Sequence, residues 1–297
     1  MNEQPVRNVA FIGIGIMGLP MAKHLLTAGY NLHIFTRTKE KASELLEAGA
    51  AWHDSAGEAA AHADAVITMV GFPTDLEDIY FGPKGILALA QRGTLLIDMT
   101  TSSPKLARRI YEAGLSRHLR VIDAPVTGGD IGAKEARLSI LVGGDPPDVE
   151  IARPILEHLG RNIVRYGGPG AGQHAKLANQ IVIAATLAGV CEGLTYVKAA
   201  GLDAERWLTA IRSGAANSFQ LETLGPKILA GDYRPGFLVE HFHKDLTLAS
   251  QESEFLRLAL PCLKIVRAFL DELVTNGVGK EGTQALYKAY QDDSQRY

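Results

Sequence analysis

Asn8-Val9-Ala10-Phe11-Ile12-Gly13-Ile14-Gly15-Ile16-Met17-Gly18-Leu19-Pro20 is the stretch on which the fold turns. An apolar run of one strand's length passes, through three glycines spaced G-x-G-x-x-G, into a helix start with Pro20 in its first turn. Each glycine has its own physical task. The first permits a tight turn, the second lets backbone approach a pyrophosphate, and the third lets helix and strand pack closely. The unpaired N–H groups of the helix start then face the phosphates. Gly13, Ile14, Gly15, Ile16, Met17 and Gly18 are therefore read as a dinucleotide-binding loop. The same spacing recurs at Gly277-Val278-Gly279-Lys280-Glu281-Gly282, but there it follows a helical pattern, and it is read as a helix C-cap and loop. Arg7 with residues 9–17 has the outline of a secretory signal. Its glycines interrupt the continuous apolar helix that a signal needs, so the strand reading is adopted.

Outward from this loop, β-rich runs at residues 8–12, 31–35, 65–70, 94–99, 120–123, 138–142 and 162–166 alternate with helical patterns such as 19–28, 39–48 and 104–116. That rhythm predicts a parallel sheet wound with crossover helices. After Tyr166 it stops at Gly167-Gly168-Pro169-Gly170-Ala171-Gly172, and nearly everything beyond reads as helix. The expected architecture is an α/β Rossmann-type N-terminal domain over residues 1–168 and an all-α C-terminal domain over residues 169–297. A chain of 297 residues, 46% hydrophobic and 21% charged, is long enough for two cores. A formal net charge of −3 provides no broad positive field for nucleic acid or anionic lipid, which leaves a small molecule as the expected partner. Cys191 and Cys262, both inside apolar helical patterns, are expected to be buried free thiols in a reducing compartment. Uninterrupted apolar runs are too short to span a bilayer, so a soluble, cytoplasmic protein is expected.

The end of the second predicted strand discriminates between cofactors, because an acidic residue there would accept the ribose 2′-hydroxyl of NAD. This chain has Thr36-Arg37-Thr38 instead. A guanidinium and two hydroxyls suit a 2′-phosphate, and no neighbouring carboxylate in the sequence opposes it, so NADP is preferred over NAD. Between Arg165 and Glu192 the only formal charge is Lys176, with Asn179 and Gln180 on the same helical face. Such a lysine either snorkels to water, finds an acceptor within the protein, or sits in a cleft where a ligand supplies negative charge. Asp123-Ala124-Pro125-Val126-Thr127-Gly128-Gly129 follows a strand end on the ligand-binding side of the sheet. It is either a turn of good turn formers or an anion-binding concavity for a carboxylate. Lys244-Asp245 reads as a surface pair, and His241 and His243 point to different faces, so no metal site is expected.

Four ordered motifs together resemble the β-hydroxyacid dehydrogenase family nearly end to end: the glycine loop continuing into Pro20-Met21-Ala22, Asp123–Gly129, Gly170-Ala171-Gly172 leading to Lys176-Leu177-Ala178-Asn179-Gln180, and Lys244-Asp245-Leu246. The resemblance implies that Lys176 is the catalytic acid or base and that Asn179 positions the substrate. It implies that Thr127, Gly128 and Gly129 hold the substrate carboxylate, and that Lys244 reaches cofactor and substrate. Thr101 matches a position contacting the nicotinamide half. Val70 and Gly71 match a cofactor loop that is Leu-Pro in many relatives, and Thr127 stands where a serine is common. The implied enzyme is an NAD(P)-dependent reductase of a small semialdehyde, with tartronate semialdehyde (2-hydroxy-3-oxopropionate) first and 3-hydroxyisobutyrate, glyoxylate and succinic semialdehyde chemistry as alternatives. Dimers or tetramers built through the helical domain are implied as well. Imine reductases are disfavoured by Lys176 beside Asn179, phosphogluconate-type enzymes by chain length, and a non-catalytic dinucleotide-binding module by the presence of Lys176.

Overall fold

The computed structural model describes residues 6–292. Strands β1 (Asn8–Ile12), β2 (Asn31–Phe35), β3 (Ala51–Trp52), β4 (Ala65–Thr68), β5 (Leu95–Asp98) and β6 (Arg120–Asp123) run parallel in the order β3-β2-β1-β4-β5-β6. This is the Rossmann order, with its switch point between β1 and β4, and ligands bind outside the strand ends there. Strands β7 (Val126–Thr127), β8 (Leu138–Gly144) and β9 (Gly160–Gly167) extend the sheet, with β8 antiparallel to β6 and β7, and β9 parallel to β8. The reversal at β8 departs from the all-parallel expectation. Its cause is the connection from Thr127 to Leu138, which holds only the helix Gly129–Lys134 and is too short for a crossover.

The central strands form because both of their faces are covered, which favours continuous apolar runs over alternation. Residues of odd and even number go to different sides. Val9, Phe11, Ile67 and Ile97 join Met21 and Leu25 of the helix Gly18–Thr27 in one core, while Ala10, Ile12, Val66 and Leu96 join Leu106 and Ile110 of the helix Pro104–Ser116 in another. Pro104–Ser116 starts where Ser103 accepts the Leu106 N–H at 3.0 Å, with proline in the first turn where no N–H is needed. Three expectations change in detail. The two-residue strands β3 and β7 are too short to show a period, and the predicted helix at 39–48 is a 3₁₀ turn (Lys39–Ala42) followed by an α-helix (Ser43–Glu47). Strands β4 and β5 stop at Thr68 and Asp98, releasing residues 69–71 and 99–102 into loops at the ligand-binding edge.

By contact density the chain divides into two compact units at Lys176–Leu177. The second is helical, and its core gathers Leu187, Cys191 and Leu194 of the long helix Ala171–Ala199 with Phe242 and Leu246 of the helix Val239–Phe255 and Leu270 of the helix Pro261–Thr275. Among the described residues, Ala171–Ala199 is a helix long and apolar enough to cross a membrane, which corrects the expectation that none exists. Lys176, Asn179, Gln180 and Glu192 interrupt its apolar runs in the sequence, and Leu187, Val190, Cys191 and Leu194 are buried in the core of the unit while Val182 and Tyr196 are exposed. Cys191 is buried as expected, whereas Cys262 is exposed, because the buried face of its helix is set by Leu263, Val266 and Leu270. Gly277 takes a left-handed φ of +80° just past Pro261–Thr275, so the second glycine motif is a helix terminus.

Candidate active site

The glycine loop has the shape that a dinucleotide requires. Gly13 adopts φ +101°, and a Cβ there would lie 2.3 Å from the Met69 carbonyl oxygen, so the loops after β1 and β4 touch at the switch point. A Cβ on Gly18 would lie 2.0 Å from the Gly13 carbonyl oxygen, while one on Gly15 would meet no atom within 4 Å. Turn, close packing and open approach thus fall on the first, third and second glycines. Met17, at the N-cap of Gly18–Thr27, provides no side-chain cap; the Leu19 N–H donates to the Gly15 carbonyl at 3.0 Å and Pro20 has no N–H, so it is the open face of Gly15 at the helix start that an anion can approach. These residues fit a dinucleotide pyrophosphate.

At the end of β2, Thr36 is half-buried and Arg37 and Thr38 are exposed. Here the sequence reading needs a correction. Arg37 Nη1 donates to Asp75 Oδ1 at 2.9 Å, so a carboxylate does stand beside the guanidinium. It comes from the first turn of the helix Pro73–Phe81, 38 residues further along the chain. Val70 and Gly71 lead into that helix, and the Val70 N–H donates to Thr100 Oγ1 at 3.1 Å, tying the two cofactor-side loops together.

Behind these loops lies a buried polar network. Asp98 closes β5 and accepts from Thr68 Oγ1 at 2.9 Å and from the Thr100 N–H at 3.0 Å, both at Oδ1. Burial pushes its carboxyl up to about 7, against the lowering effect of those two donors. Its register partner Asp123 closes β6 and accepts the Gly170 N–H at 2.7 Å and the Gln173 N–H at 2.9 Å, one on each oxygen. Burial also raises the Asp123 carboxyl, and the N–H donors pull the other way. Gln173, fully buried, completes the network: its Nε2 donates to the Thr100 carbonyl and its Oε1 accepts the Ser102 N–H, both at 2.8 Å. Its amide therefore grips both sides of half-buried Thr101.

Lys176 lies three residues beyond Gln173 on the same helix, and only 7% of it is exposed. Most of the lysine is thus withdrawn from water, in keeping with an acceptor or a ligand for its charge. Thr127 is half-buried, Gly128 and Gly129 are exposed with φ of +130° and +65°, and a Cβ on Gly129 would meet nothing within 4 Å. The turn presents open backbone. In the second unit, Asn179 Nδ2 donates to Gln180 Oε1 at 2.8 Å, and Gln180 Nε2 donates to Asp245 Oδ2 at 2.7 Å. Lys244 Nζ lies 2.9 Å from Asp245 Oδ1, with 12% of the lysine side chain and 2% of the aspartate side chain exposed. The reading of Lys244-Asp245 as a surface pair is thus corrected. Helix packing buries it and joins it through Gln180 to Asn179.

A family model described as the NAD binding domain of 6-phosphogluconate dehydrogenase matches residues 8–168. Another, described as NAD-binding of NADP-dependent 3-hydroxyisobutyrate dehydrogenase, matches residues 170–290. The 2-hydroxy-3-oxopropionate reductase of Escherichia coli (strain K12) is 37% identical over 285 residues, covering 95% of this chain and 96% of the relative. The chain belongs to the β-hydroxyacid dehydrogenase family. It is similar also to the probable 3-hydroxyisobutyrate dehydrogenase-like 1, mitochondrial, of Arabidopsis thaliana, at 44% identity over 95% of this chain and 84% of the relative. Among solved structures it resembles Mycobacterium tuberculosis 3-hydroxyisobutyrate dehydrogenase with L-serine, at TM-score 0.86 and 30% identity, covering 96% of this chain and 99% of that one. This β-hydroxyacid dehydrogenase is accordingly an NAD(P)-dependent oxidoreductase.

Asp98, Gln173 and Asp75 were not singled out from the sequence. A carboxylate closing the apolar strand Leu-Leu-Ile-Asp is a usable signal for Asp98, and a glutamine near the start of an apolar helix is a weaker one for Gln173. Asp75 gave no signal, because an acid in a first turn after proline is ordinary helix composition. Folding raises the pKa of Asp98, so the folded chain keeps a proton that the unfolded chain has lost, and stability falls as pH rises from about 4 to about 7. Asp98→Asn keeps Oδ1 for both donors and removes this titration. Its stability relative to the parent, read from urea midpoints, is expected to grow across that interval, whereas a constant offset would mean that Asp98 stays ionised. Gln173→Leu strands the Thr100 carbonyl and the Ser102 N–H in the interior, and should cost about 2–6 kcal/mol at about 1–3 per group. A loss below about 1 kcal/mol would mean that water replaces the amide.

Proposed function

We propose that this chain reduces a small carboxylate-bearing semialdehyde to the hydroxyacid with NADPH, 2-hydroxy-3-oxopropionate (tartronate semialdehyde) being the leading substrate. Lys176 carries the reading: a buried lysine on the helix whose first turn is bound by Asp123, within the unit that contains the glycine loop. Residues 1–168 serve in this proposal as the cofactor domain and residues 169–297 as the substrate and oligomerisation domain.

Gly13 to Gly18 would hold the pyrophosphate, Thr36, Arg37 and Thr38 the adenosine 2′-phosphate, and Val70, Gly71 and Thr101 the nicotinamide side. When bound, the nicotinamide supplies the hydride. The Lys176 ammonium donates a proton to the carbonyl oxygen as negative charge develops there, and in the oxidative direction the neutral amine takes the hydroxyl proton. The Thr127 hydroxyl and the N–H groups of Gly128 and Gly129 donate hydrogen bonds to the substrate carboxylate. Asn179 orients the substrate and Lys244 contacts substrate and cofactor, the roles carried over from the family motif. NADP is placed ahead of NAD because Arg37 stands where an NAD enzyme would carry an acid. The L-serine named with the M. tuberculosis structure supports a second reading, oxidation of a β-hydroxyacid, by the same groups run in reverse. A cytoplasmic homodimer or homotetramer completes the proposal.

The test is steady-state oxidation of NADPH and of NADH against 2-hydroxy-3-oxopropionate, succinic semialdehyde, glyoxylate and methylmalonate semialdehyde, for the parent and Lys176→Ala. The expected result is turnover of 2-hydroxy-3-oxopropionate that is faster with NADPH. The variant is expected to lose about 10²–10⁴-fold in kcat, the usual contribution of a positioned acid, while NADPH binding stays nearly intact. Loss of binding together with turnover would assign Lys176 a structural role, and turnover confined to another semialdehyde would replace the substrate.

A further inference from the structure

We propose that Asp75 sets the cofactor discrimination of this enzyme by competing with the adenosine 2′-phosphate for Arg37, so that both NADP and NAD are accepted and the preference for NADP is held down. The inference rests on the reading of Arg37 as the 2′-phosphate ligand and adds a residue that opposes it.

The two partners are held unequally. Asp75 sits in the first turn of the helix Pro73–Phe81, where the helix dipole favours a carboxylate, and 19% of its side chain is exposed. Its Oδ1 takes the Arg37 guanidinium at 2.9 Å, and its Oδ2 is buried with no hydrogen bond from the described residues. Arg37 follows β2 by two residues with 79% of its side chain exposed. An exposed ion pair of this kind is weak, so Arg37 can swing from the carboxylate to a phosphate at little cost. The carboxylate cannot follow, because its helix is packed through the buried Leu76 and Tyr80. It stays as a fixed negative charge beside the place where an anionic 2′-phosphate would bind.

NAD presents a 2′-hydroxyl at the same place. A carboxylate at this edge of a Rossmann sheet accepts a hydrogen bond from that hydroxyl, which is the usual role of an acid at the end of β2. Here the acid arrives from the helix after β4. The segment that follows Arg37 carries both signs with an excess of positive charge: Lys39, next to Thr38, lies 5.0 Å from the centre of the Trp52 ring, and Glu40 and Lys41 come after it. Asp75 is thus the group whose removal should change the balance between the two cofactors.

Dissociation constants for NADPH and NADH, measured by fluorescence titration of the full chain without substrate, test this in the parent, Asp75→Asn and Arg37→Gln. Asp75→Asn keeps the shape and removes the charge. It is expected to tighten NADPH about tenfold, the scale of repulsion between a single charge and a phosphate a few Å away in water, and to leave NADH unchanged or weaker. The gain should shrink as salt is raised. A purely structural role for Asp75 would move both constants together, and that result would overturn the proposal. If Arg37→Gln weakens NADPH while Asp75→Asn leaves the NADPH/NADH ratio unaltered, Asp75 is not the determinant and the Arg37 reading survives. If Arg37→Gln leaves NADPH binding unaltered, the Arg37 reading fails and the proposal fails with it.

Discussion

The carboxylate of Asp123, buried at the end of β6 and bonded to the backbone N–H groups of Gly170 and Gln173, is the interaction on which the arrangement of the first unit depends. Two liabilities cancel in it. A buried carboxylate is costly unless hydrogen-bonded, and the start of a helix carries N–H groups that no carbonyl of its own can reach. The 29-residue helix Ala171–Ala199 adds the positive end of its dipole. Close approach is possible only because glycines line the contact. A Cβ on Gly143 would lie 2.6 Å from Asp123 Oδ1, and one on Gly172 would lie 2.3 Å from the Leu141 carbonyl oxygen. The first turn of the helix is therefore referenced to the sheet, and Lys176 lies one turn beyond it.

The same interior explains why Thr101 is held on both sides. Strands β5 and β6 end in acids at register positions, and each acid is used differently. Asp123 meets two backbone donors, while Asp98, more completely buried, meets the Thr68 hydroxyl and the Thr100 N–H and has its carboxyl pushed up to about 7. Low dielectric makes both arrangements demanding, since each polar atom left without a partner there costs more than in water. Gln173 links the two by giving its N–H to Asp123 and its amide to the loop that follows Asp98.

The contrast with the adenosine end is one of dielectric. The Arg37–Asp75 pair is open to water on the arginine side, so its energy is small and its effect is on which ligand is preferred rather than on the fold. Precision in this unit is kept for the part behind Thr101 and Lys176, and adjustable electrostatics for the edge.

What the sequence determined by itself was whatever depends on neighbours in the chain. The glycine loop is legible because a turn, a close approach and a helix start fall within six residues, and the Rossmann strands because apolar runs of one length recur between helices. The isolation of Lys176 within an apolar helix is legible in the same way, as is the predominantly helical character of the chain after Tyr166. The tertiary structure alone decided the reversal of β8, the burial of Lys244 against Asp245, and the hydrogen bonds of Asp123, which join residues 47 and 50 positions apart. It also brought Asp75 to Arg37 and shifted Asp98, because partner and dielectric are set by which distant segments pack together. Spacing along one segment carries no record of either.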